Sequence, residues 1–355
     1  MICAPNTDLH WQIFCRVIDN HGDLGVCWRL AHQLQQRGQT VTLWVDDASA
    51  LAWMAPNASL TVAVHSWPQT VTHAQWPDHP TVVVEAFGCE LPECVHIRVS
   101  QHTAPLVWLN LEYLSAEPFV QRSHGLASPV MSGSAAGRSK WFFYPGFTAN
   151  TGGLLQDTAT EHSATLDALG LGGQTEVSVF CYENPTLKPL IQHFQAAGWR
   201  VWCLPGKTAN AATSQGANAH QLPYLAQTDF DTLLKRCAFN VVRGEDSLTR
   251  ALWSGRPFLW HIYPQSDGAH AVKLEAFLDC FEAPAVVRSA HLIWNGLQPA
   301  PEPALERTPG LVAWLPEPES TDWQTWVMWA EHAKTTLLGQ RDLVSQLQDW
   351  AHTHA

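Results

Sequence analysis

The turn after the first apolar run carries two carboxylates close together. Asp19 and Asp23 belong to the sequence DNHGDLG, which directly follows the strand-like run 11–18. Gly22 between them would let the backbone approach a ligand closely. Two acids in such a turn could hold a cationic substrate group, or one of them could act as a general base. The structural alternative is that Asp23 caps a helix beginning at Leu24 and Asp19 merely ends the strand.

A second motif, RGEDS at 243–247, lies between a buried strand-like run and a helix-like run. A helix start exposes unpaired N–H groups and a partial positive charge, which favour a phosphate. Arg243 would add a planar fork suited to phosphate oxygens, and Glu245 could accept hydrogen bonds from a sugar hydroxyl. The alternative is a capped helix start, with Asp246 and Ser247 in its first turn and Arg243 paired to one of the acids.

Aromatic and polar side chains follow other strand-like runs of the same half. They are Phe180, Tyr182, Tyr224, Tyr263 and Gln265. A ring at such a position could stack on a nucleobase or close over a sugar, although packing is the commoner use of an aromatic residue.

The elements that must position these residues alternate between strand and helix along the chain. We predict strands at 11–18, 40–46 and 81–84, a helix from Leu24 to Arg37, and a further strand at 95–99. The segment 128–140 has no periodicity and is predicted to be a loop. The alternation restarts near residue 175, so the sequence predicts two α/β domains with parallel sheets. Ligands of such sheets bind at the carboxyl ends of the strands, where both motifs lie.

Composition excludes several classes of protein. The chain has 355 residues, of which 46% are hydrophobic and 15% charged, and its formal net charge is −12. We therefore expect no nucleic-acid partner, since the chain lacks a basic surface for phosphates. We also expect no membrane span, no signal peptide and a cytoplasmic location. The nine cysteines include no CxxC pair and the histidines have no ligand spacing, so neither a disulfide framework nor a metal site is predicted.

With both motifs considered, the chain resembles the EarP family, the protein-arginine rhamnosyltransferases that modify bacterial translation elongation factor P. The segments that carry the resemblance are IFCRVIDNHGDLGVCWRLAHQL (13–34), LWVDD (43–47), LPECV (91–95), LVWLNLEYLSAE (106–117), YPGFTANTGGLL (144–155) and VVRGEDSLTRALWSGRPFLWHIYPQ (241–265).

The resemblance implies a GT-B glycosyltransferase architecture, α/β, with two Rossmann-like domains facing across a cleft. It implies an acceptor-binding domain at 1–170, joined by a C-terminal helix at about 338–355, and a nucleotide-sugar-binding domain at 171–337. The implied reaction is an inverting transfer of L-rhamnose from TDP-β-L-rhamnose to an arginine of elongation factor P, without cofactor or metal. Such modification would activate the factor for translation of polyproline stretches.

The family's residues carry over onto matching positions of this sequence. Asp19 and Asp23 match the catalytic pair, with Asp23 the general base. The nucleotide sugar would be held by Arg243, Glu245, Asp246, Ser247, Phe180, Tyr182, Tyr224, Tyr263, Gln265 and Gly22. His21 stands where the family more often has Phe, and 128–140 departs from the family pattern, which bears on the acceptor side.

Two rival functions stay open at this stage. One keeps the nucleotide sugar but transfers the sugar to a small molecule or a glycan. The other is a nucleotide-sensing partner or assembly factor of the translation machinery, which would have little need for two acids facing a cation. An NAD dehydrogenase is disfavoured, because DNHGDLG lacks the glycine spacing of that fingerprint.

Overall fold

The computed structural model describes residues 9–18, 21–56, 62–156, 162–173, 175–301 and 311–355. The described residues form two compact units. The first contains those up to Gln156 together with Gln340–Ala355, and the second contains those between them, up to Gly339. The sequence had set the corresponding limits at 170 and 338, and the binding roles assigned to the two domains stay predictions.

The first unit is built on a mostly parallel sheet. Its described strands are β1 (His10–Cys15), β2 (Thr40–Val45), β3 (Ala63–Ser66), β4 (Thr81–Ala86), β5 (Leu106–Leu111), β6 (Ala127–Pro129) and β7 (Ser139–Phe143). They lie in the order β3-β2-β1-β4-β5-β7-β6, and β6 runs antiparallel to β7. The helices between them are α1 (Gly22–Gln36), α2 (Leu51–Met54), α3 (Glu93–Gln101) and α4 (Pro118–Ser123).

Helices cover both faces of this sheet. Ile13 of β1 and Leu30 of α1 belong to one apolar cluster. Phe14, on the opposite face of β1, packs in a second cluster with Val95 and Val99 of α3. Burial on both faces explains why the strands are almost continuously apolar rather than alternating.

The second unit contains a fully parallel sheet in its described residues. Its strands are β8 (Glu176–Val179), β9 (Arg200–Cys203), β10 (His220–Gln221), β11 (Phe239–Arg243) and β12 (Phe258–His261), in the order β10-β9-β8-β11-β12. The helices are α5 (Ala164–Ala168), α6 (Leu187–Ala196), α7 (Lys207–Ser214), α8 (Gln227–Arg236), α9 (Gly244–Ser254), α10 (Ala269–Cys280), α11 (Ala285–Trp294) and α12 (Thr321–Leu338).

The last helix, α13 (Leu343–His354), returns to the first unit. Val344 and Leu347 are buried in the same apolar cluster as α1. Arg37 at the end of α1 forms an ion pair with Asp342, with 2.8 Å between Nη2 and Oδ1. No described helix is both long and apolar enough to span a membrane.

Three local predictions differ from the structure. The predicted strand 95–99 is wrong, since these residues lie in α3, where Val95 and Val99 fall on one helical face four residues apart. The segment 128–140 is not only a loop, because its ends lie in the antiparallel pair β6 and β7. Helix α1 begins at Gly22 rather than Leu24.

Candidate functional site

Arg243 lies at the carboxyl end of β11, immediately before α9. Its side chain is nine-tenths buried, with an exposed fraction of 9%. The guanidinium carbon lies 4.2 Å from the ring centre of Phe180 and 5.0 Å from that of Tyr182. Phe180 and Tyr182, which follow β8, therefore hold the planar guanidinium of Arg243 by contact with their rings. These contacts fix the plane of the guanidinium.

The ring of Tyr182 is the centre of this cluster. Besides Arg243, it makes edge contacts with His261 and Tyr263, at centroid distances of 5.3 and 5.6 Å. The ammonium group of Lys207, at the start of α7, lies 5.8 Å from the same ring. The carboxyl ends of β8, β9, β11 and β12 thus meet in one cationic, aromatic cluster, where a parallel sheet is expected to bind its ligand.

Both acids of the RGEDS motif lie in the first turn of α9. Glu245 forms an ion pair with Lys273 of α10, and Asp246 lies 3.8 Å from the Nε of Arg250, one turn later. Ser247 donates its hydroxyl hydrogen to the carbonyl oxygen of Arg243. Arg243 occupies the N-cap position with no side-chain cap bond, so neither Asp246 nor Ser247 is a cap.

Gly244 allows α9 to begin directly after β11. Its φ is +67°, in the left-handed region that glycine adopts at little cost. A Cβ built there would lie 3.5 Å from the Tyr182 hydroxyl, and its carbonyl oxygen accepts a hydrogen bond from Trp260 Nε1 at 2.8 Å. The glycine therefore permits the sharp turn, while the tyrosine hydroxyl lies at ordinary contact distance from the position of a Cβ.

Burial controls the charge of the titratable groups around Arg243. Burial, reinforced by the positive charge of Arg243, lowers the pKa of His261 to about 4, so this imidazole is neutral at pH 7. Burial raises the pKa of the Cys181 thiol to about 12, so it is not ionised as a nucleophile would be. The positive charge of the cluster comes from Arg243 and Lys207.

Tyr224 and Gln265 lie further from this centre. Tyr224 follows β10, at the edge of the sheet and three strands from β11, and 56% of its surface is exposed. Three strand spacings amount to about 14 Å. Gln265 is exposed, and its backbone N–H donates to Nδ1 of His270 at 3.2 Å. Their predicted contacts with the nucleotide sugar stay predictions.

In the first unit, the structure describes only one of the two predicted catalytic acids. Asp23 lies in the first turn of α1, whose N-cap is His21. It is therefore not the cap that the structural alternative required, although an acid in the first turn still favours the helix dipole. A Cβ at Gly22 would meet no described atom within 4 Å. Asp19 lies outside the described residues.

The charge of Asp23 contributes to the raised pKa of the Cys27 thiol, one turn later in α1. The pKa of the Cys27 thiol is raised well above its ordinary value by its contact with Cys15 and by burial, with a smaller contribution from the charge of Asp23. Within the described residues, no three His, Cys, Asp or Glu side chains are grouped as metal ligands.

Comparison with known proteins identifies the family. Residues 11–352 match the family model described as Elongation-Factor P (EF-P) rhamnosyltransferase EarP. The chain belongs to this family. Protein-arginine rhamnosyltransferases of Pseudomonas putida and Pseudomonas aeruginosa are 41% and 39% identical to it, over 76% and 80% of this chain and 80% and 86% of theirs. One from Neisseria meningitidis is 32% identical, over 96% of this chain and 97% of its own.

Solved structures support the same fold. The structure described as the "Structural basis for EarP-mediated arginine glycosylation of translation elongation factor EF-P" has a TM-score of 0.56 and 24% identity, covering 98% of this chain and 99% of that one. The glycosyltransferase VinC in complex with dTDP has a TM-score of 0.55 and 13% identity, with the same coverage. The predicted GT-B fold and the predicted glycosyltransferase class are confirmed.

Two basic residues of the site were not predicted from the sequence: Lys207, beside Tyr182, and Lys273, beside Glu245. Lys207 could have been found, because it follows the strand-like run 199–205 in the sequence LPGK and so lies at a carboxyl end. No sequence pattern marks Lys273, because it lies within α10 and only the packing of that helix brings it to Glu245.

Proposed function

We propose that this chain transfers L-rhamnose from TDP-β-L-rhamnose to one arginine of translation elongation factor P, with inversion at the sugar carbon C1. The observation that carries the proposal is the Arg243 cluster at the start of α9, in a chain whose relatives are named protein-arginine rhamnosyltransferases. A buried guanidinium held flat at a helix start is suited to a diphosphate leaving group.

In this proposal the second unit binds the donor. Arg243 and the N–H groups of α9 stabilise the charge that develops on TDP as the C1–O bond breaks. Phe180, Tyr182 and Tyr263 provide ring surfaces, and Tyr224 and Gln265 contact the nucleotide sugar at its periphery. Glu245, Asp246 and Ser247 bind the ribose and diphosphate region, with Lys273 keeping Glu245 in place.

The first unit provides the base. A guanidinium is a poor nucleophile because its nitrogen lone pairs are delocalised and its pKa exceeds 12. Asp19 and Asp23 would hold the group by charge-assisted hydrogen bonds, and Gly22 would let the backbone come close. As one guanidinium nitrogen attacks C1, its proton passes to Asp23 and the electron pair of the broken bond leaves with TDP. No metal or cofactor takes part.

The experiment is a transfer assay. Purified chain is incubated with TDP-β-L-rhamnose and elongation factor P, and the factor is analysed by intact mass and peptide mapping. We expect the mass gain of one rhamnosyl group on one arginine, with the α configuration by NMR. No gain on the factor, combined with transfer to a small molecule or glycan, would favour that rival acceptor.

Replacing Asp23 tests the chemistry and separates an enzyme from a nucleotide-sensing partner. General-base catalysis is worth about 10²–10⁴-fold, so Asp23→Asn should reduce kcat by at least that factor. Asp349→Asn is the control, because that carboxylate lies on α13 in an exposed pair with Arg341. Full cellular function with Asp23→Asn would favour the partner.

A further inference from the structure

We infer that Glu112, supported by Asn110, binds the guanidinium of the acceptor arginine. The inference rests on the proposed function, since that function supplies the cation. It adds a residue to the acceptor side of the first unit, outside the DNHGD turn.

Glu112 lies at the same edge of the sheet as the turn with Asp23. Ala86, Leu111 and Phe143 are in register at the carboxyl ends of β4, β5 and β7, and Glu112 is the next residue after β5. Its N–H donates to the carbonyl oxygen of Phe143 at 2.9 Å, which fixes its backbone. Strand β4 alone separates β5 from β1, so the two strand ends are about 10 Å apart.

The carboxylate of Glu112 is half-buried and has no cation within ion-pair distance in the part of the chain that the structure describes. The basic residue on the neighbouring strands β4 and β7 is Lys140. That ammonium group is bound to Glu85, with 2.8 Å between Nζ and Oε2, and lies 4.9 Å from the ring centre of Trp108. Trp108 also donates its indole N–H to the same carboxylate oxygen, at 3.2 Å. The ammonium group of Lys140 is thus paired with Glu85, and it acts on Glu112 only from beyond ion-pair distance.

The Glu112–Asn110 pair has acceptors in excess of donors. Asn110 Nδ2 donates to Glu112 Oε1 at 2.6 Å, and the backbone of Tyr113 also hydrogen-bonds the carboxylate. These use two of the roughly four lone-pair positions of a carboxylate. Asn110 Oδ1 is buried and has no hydrogen-bond partner among the described residues. A buried acceptor without a hydrogen bond costs free energy. The Glu112–Asn110 pair would therefore be stabilised by a ligand with several hydrogen-bond donors. A guanidinium offers five N–H donors and a positive charge, whereas no three His, Cys, Asp or Glu side chains are grouped as metal ligands within the described residues.

The electrostatics agree with this assignment. Burial raises the pKa of Glu112, and the charge of Glu85 adds to the rise. Hydrogen bonds from Asn110 and from the backbone of Tyr113, and the charge of Lys140, oppose it without cancelling it. A cation bound at Glu112 would stabilise the ionised form and bring this pKa down. The arginine would therefore complete the charge compensation that Lys140, paired with Glu85, supplies only in part.

The test replaces Glu112 with glutamine, which keeps an acceptor for Asn110 but removes the charge. With elongation factor P as acceptor, we expect Glu112→Gln to raise the acceptor KM about ten- to a hundredfold, the range of a lost charge-assisted hydrogen bond. The donor KM and the affinity for TDP should stay unchanged. Glu90→Gln is the matched control, because it removes the same charge from an exposed position near the same edge.

A second measurement works on the unmodified protein and does not need activity. The pKa of the Glu112 side-chain carboxyl is measured by carbon NMR with N-acetylarginine amide, and with its uncharged isostere N-acetylcitrulline amide. We expect only the arginine compound to lower it.

The outcomes separate the two proposals. Transfer by the wild type with an unchanged acceptor KM for Glu112→Gln would overturn this inference and leave the proposed function intact. Failure of the wild type to modify elongation factor P would overturn the proposed function. In that case an unchanged Glu112 pKa with N-acetylarginine amide would overturn this inference as well, and a lowered one would support it.

Discussion

At the scale of single residues, the cluster around Arg243 is built from planar side chains. Arg243 is held between rings, with 4.2 Å to the Phe180 centroid, and the neighbouring His261 is kept neutral by burial. A charged imidazole there would repel the guanidinium, so the neutrality of His261 keeps Arg243 free of a repelling charge on that side.

Arg243→Ala should weaken TDP binding about tenfold or more and slow transfer, because the diphosphate loses a charge-assisted fork. Arg243→Lys should recover only part of the affinity, since an ammonium group has neither the fork nor the flat face. Titration calorimetry with TDP measures both. Arg288→Ala, at a partly exposed pair with Asp279 in the same unit, is the control, and an unchanged affinity in Arg243→Ala would remove this residue from the diphosphate site.

The raised pKa of Glu112 predicts a pH dependence on the acceptor side. Arginine stays protonated, but Glu112 must be ionised to bind it. As the pH falls through the raised pKa, the acceptor KM should rise, and this rise should occur at higher pH than an ordinary glutamate would give. Steady-state kinetics between pH 5 and 8 check this. The Glu112→Gln variant should lack that component of the profile.

At the scale of elements, the transition from β11 to α9 depends on one glycine. The φ of Gly244 is +67°, and this conformation brings the helix start and the Tyr182 hydroxyl together. The backbone geometry at Gly244 therefore shapes the cluster around Arg243 as much as side-chain chemistry does.

Gly244→Ala should lower the free energy of unfolding by about 1–2 kcal/mol, the cost of a left-handed conformation for a residue with a Cβ. It should also weaken TDP binding, because relief of the strained left-handed conformation would move the start of α9 and with it Arg243. Gly268→Ala is the control: its φ is +79° and no atom lies within 4 Å of the added Cβ. Chemical denaturation measures the free energy of unfolding of each variant, and titration calorimetry measures its affinity for TDP. Equal loss of TDP affinity in both variants would contradict a specific role for Gly244.

At the scale of the whole molecule, both ends of the described chain contribute to the first unit. Helix α13 packs its apolar face on the cluster that contains β1 and α1. Asp342 ties the two helices together, since it pairs with Arg37 and accepts a hydrogen bond from the N–H of Ser345 at 3.0 Å.

Asp342→Asn should destabilise the protein at neutral pH. Burial opposes ionisation of Asp342, but hydrogen bonds from Ser345 and the pairing with Arg37 outweigh it and lower its pKa. A lowered folded-state pKa contributes stability above the unfolded value, and this is lost as the pH falls through the folded value. The difference in unfolding free energy between wild type and variant should thus be constant above about pH 5 and shrink below about pH 4. Urea denaturation measures it. Asp349→Asn, at an exposed pair, should have almost no effect.

Much of the architecture was predictable from local pattern. The alternation of short apolar runs with helical periodicity predicted two parallel sheets, and the turn sequences located Asp23 and Arg243 at carboxyl ends. The short run 95–99 was assigned to the wrong type of element, because a few apolar residues fit either period.

What the sequence determined by itself is the alternation of strands with helices and the turns that carry Asp23 and Arg243, since strand and helix periods are local properties. Only the tertiary structure decided which of those residues meet. Lys273 reaches Glu245, Lys140 is committed to Glu85, and Phe180 and Tyr182 flank Arg243. These partners are tens of residues apart in the chain. They meet because parallel strands pair in an order and register fixed by packing of the whole sheet, and no local pattern encodes that order.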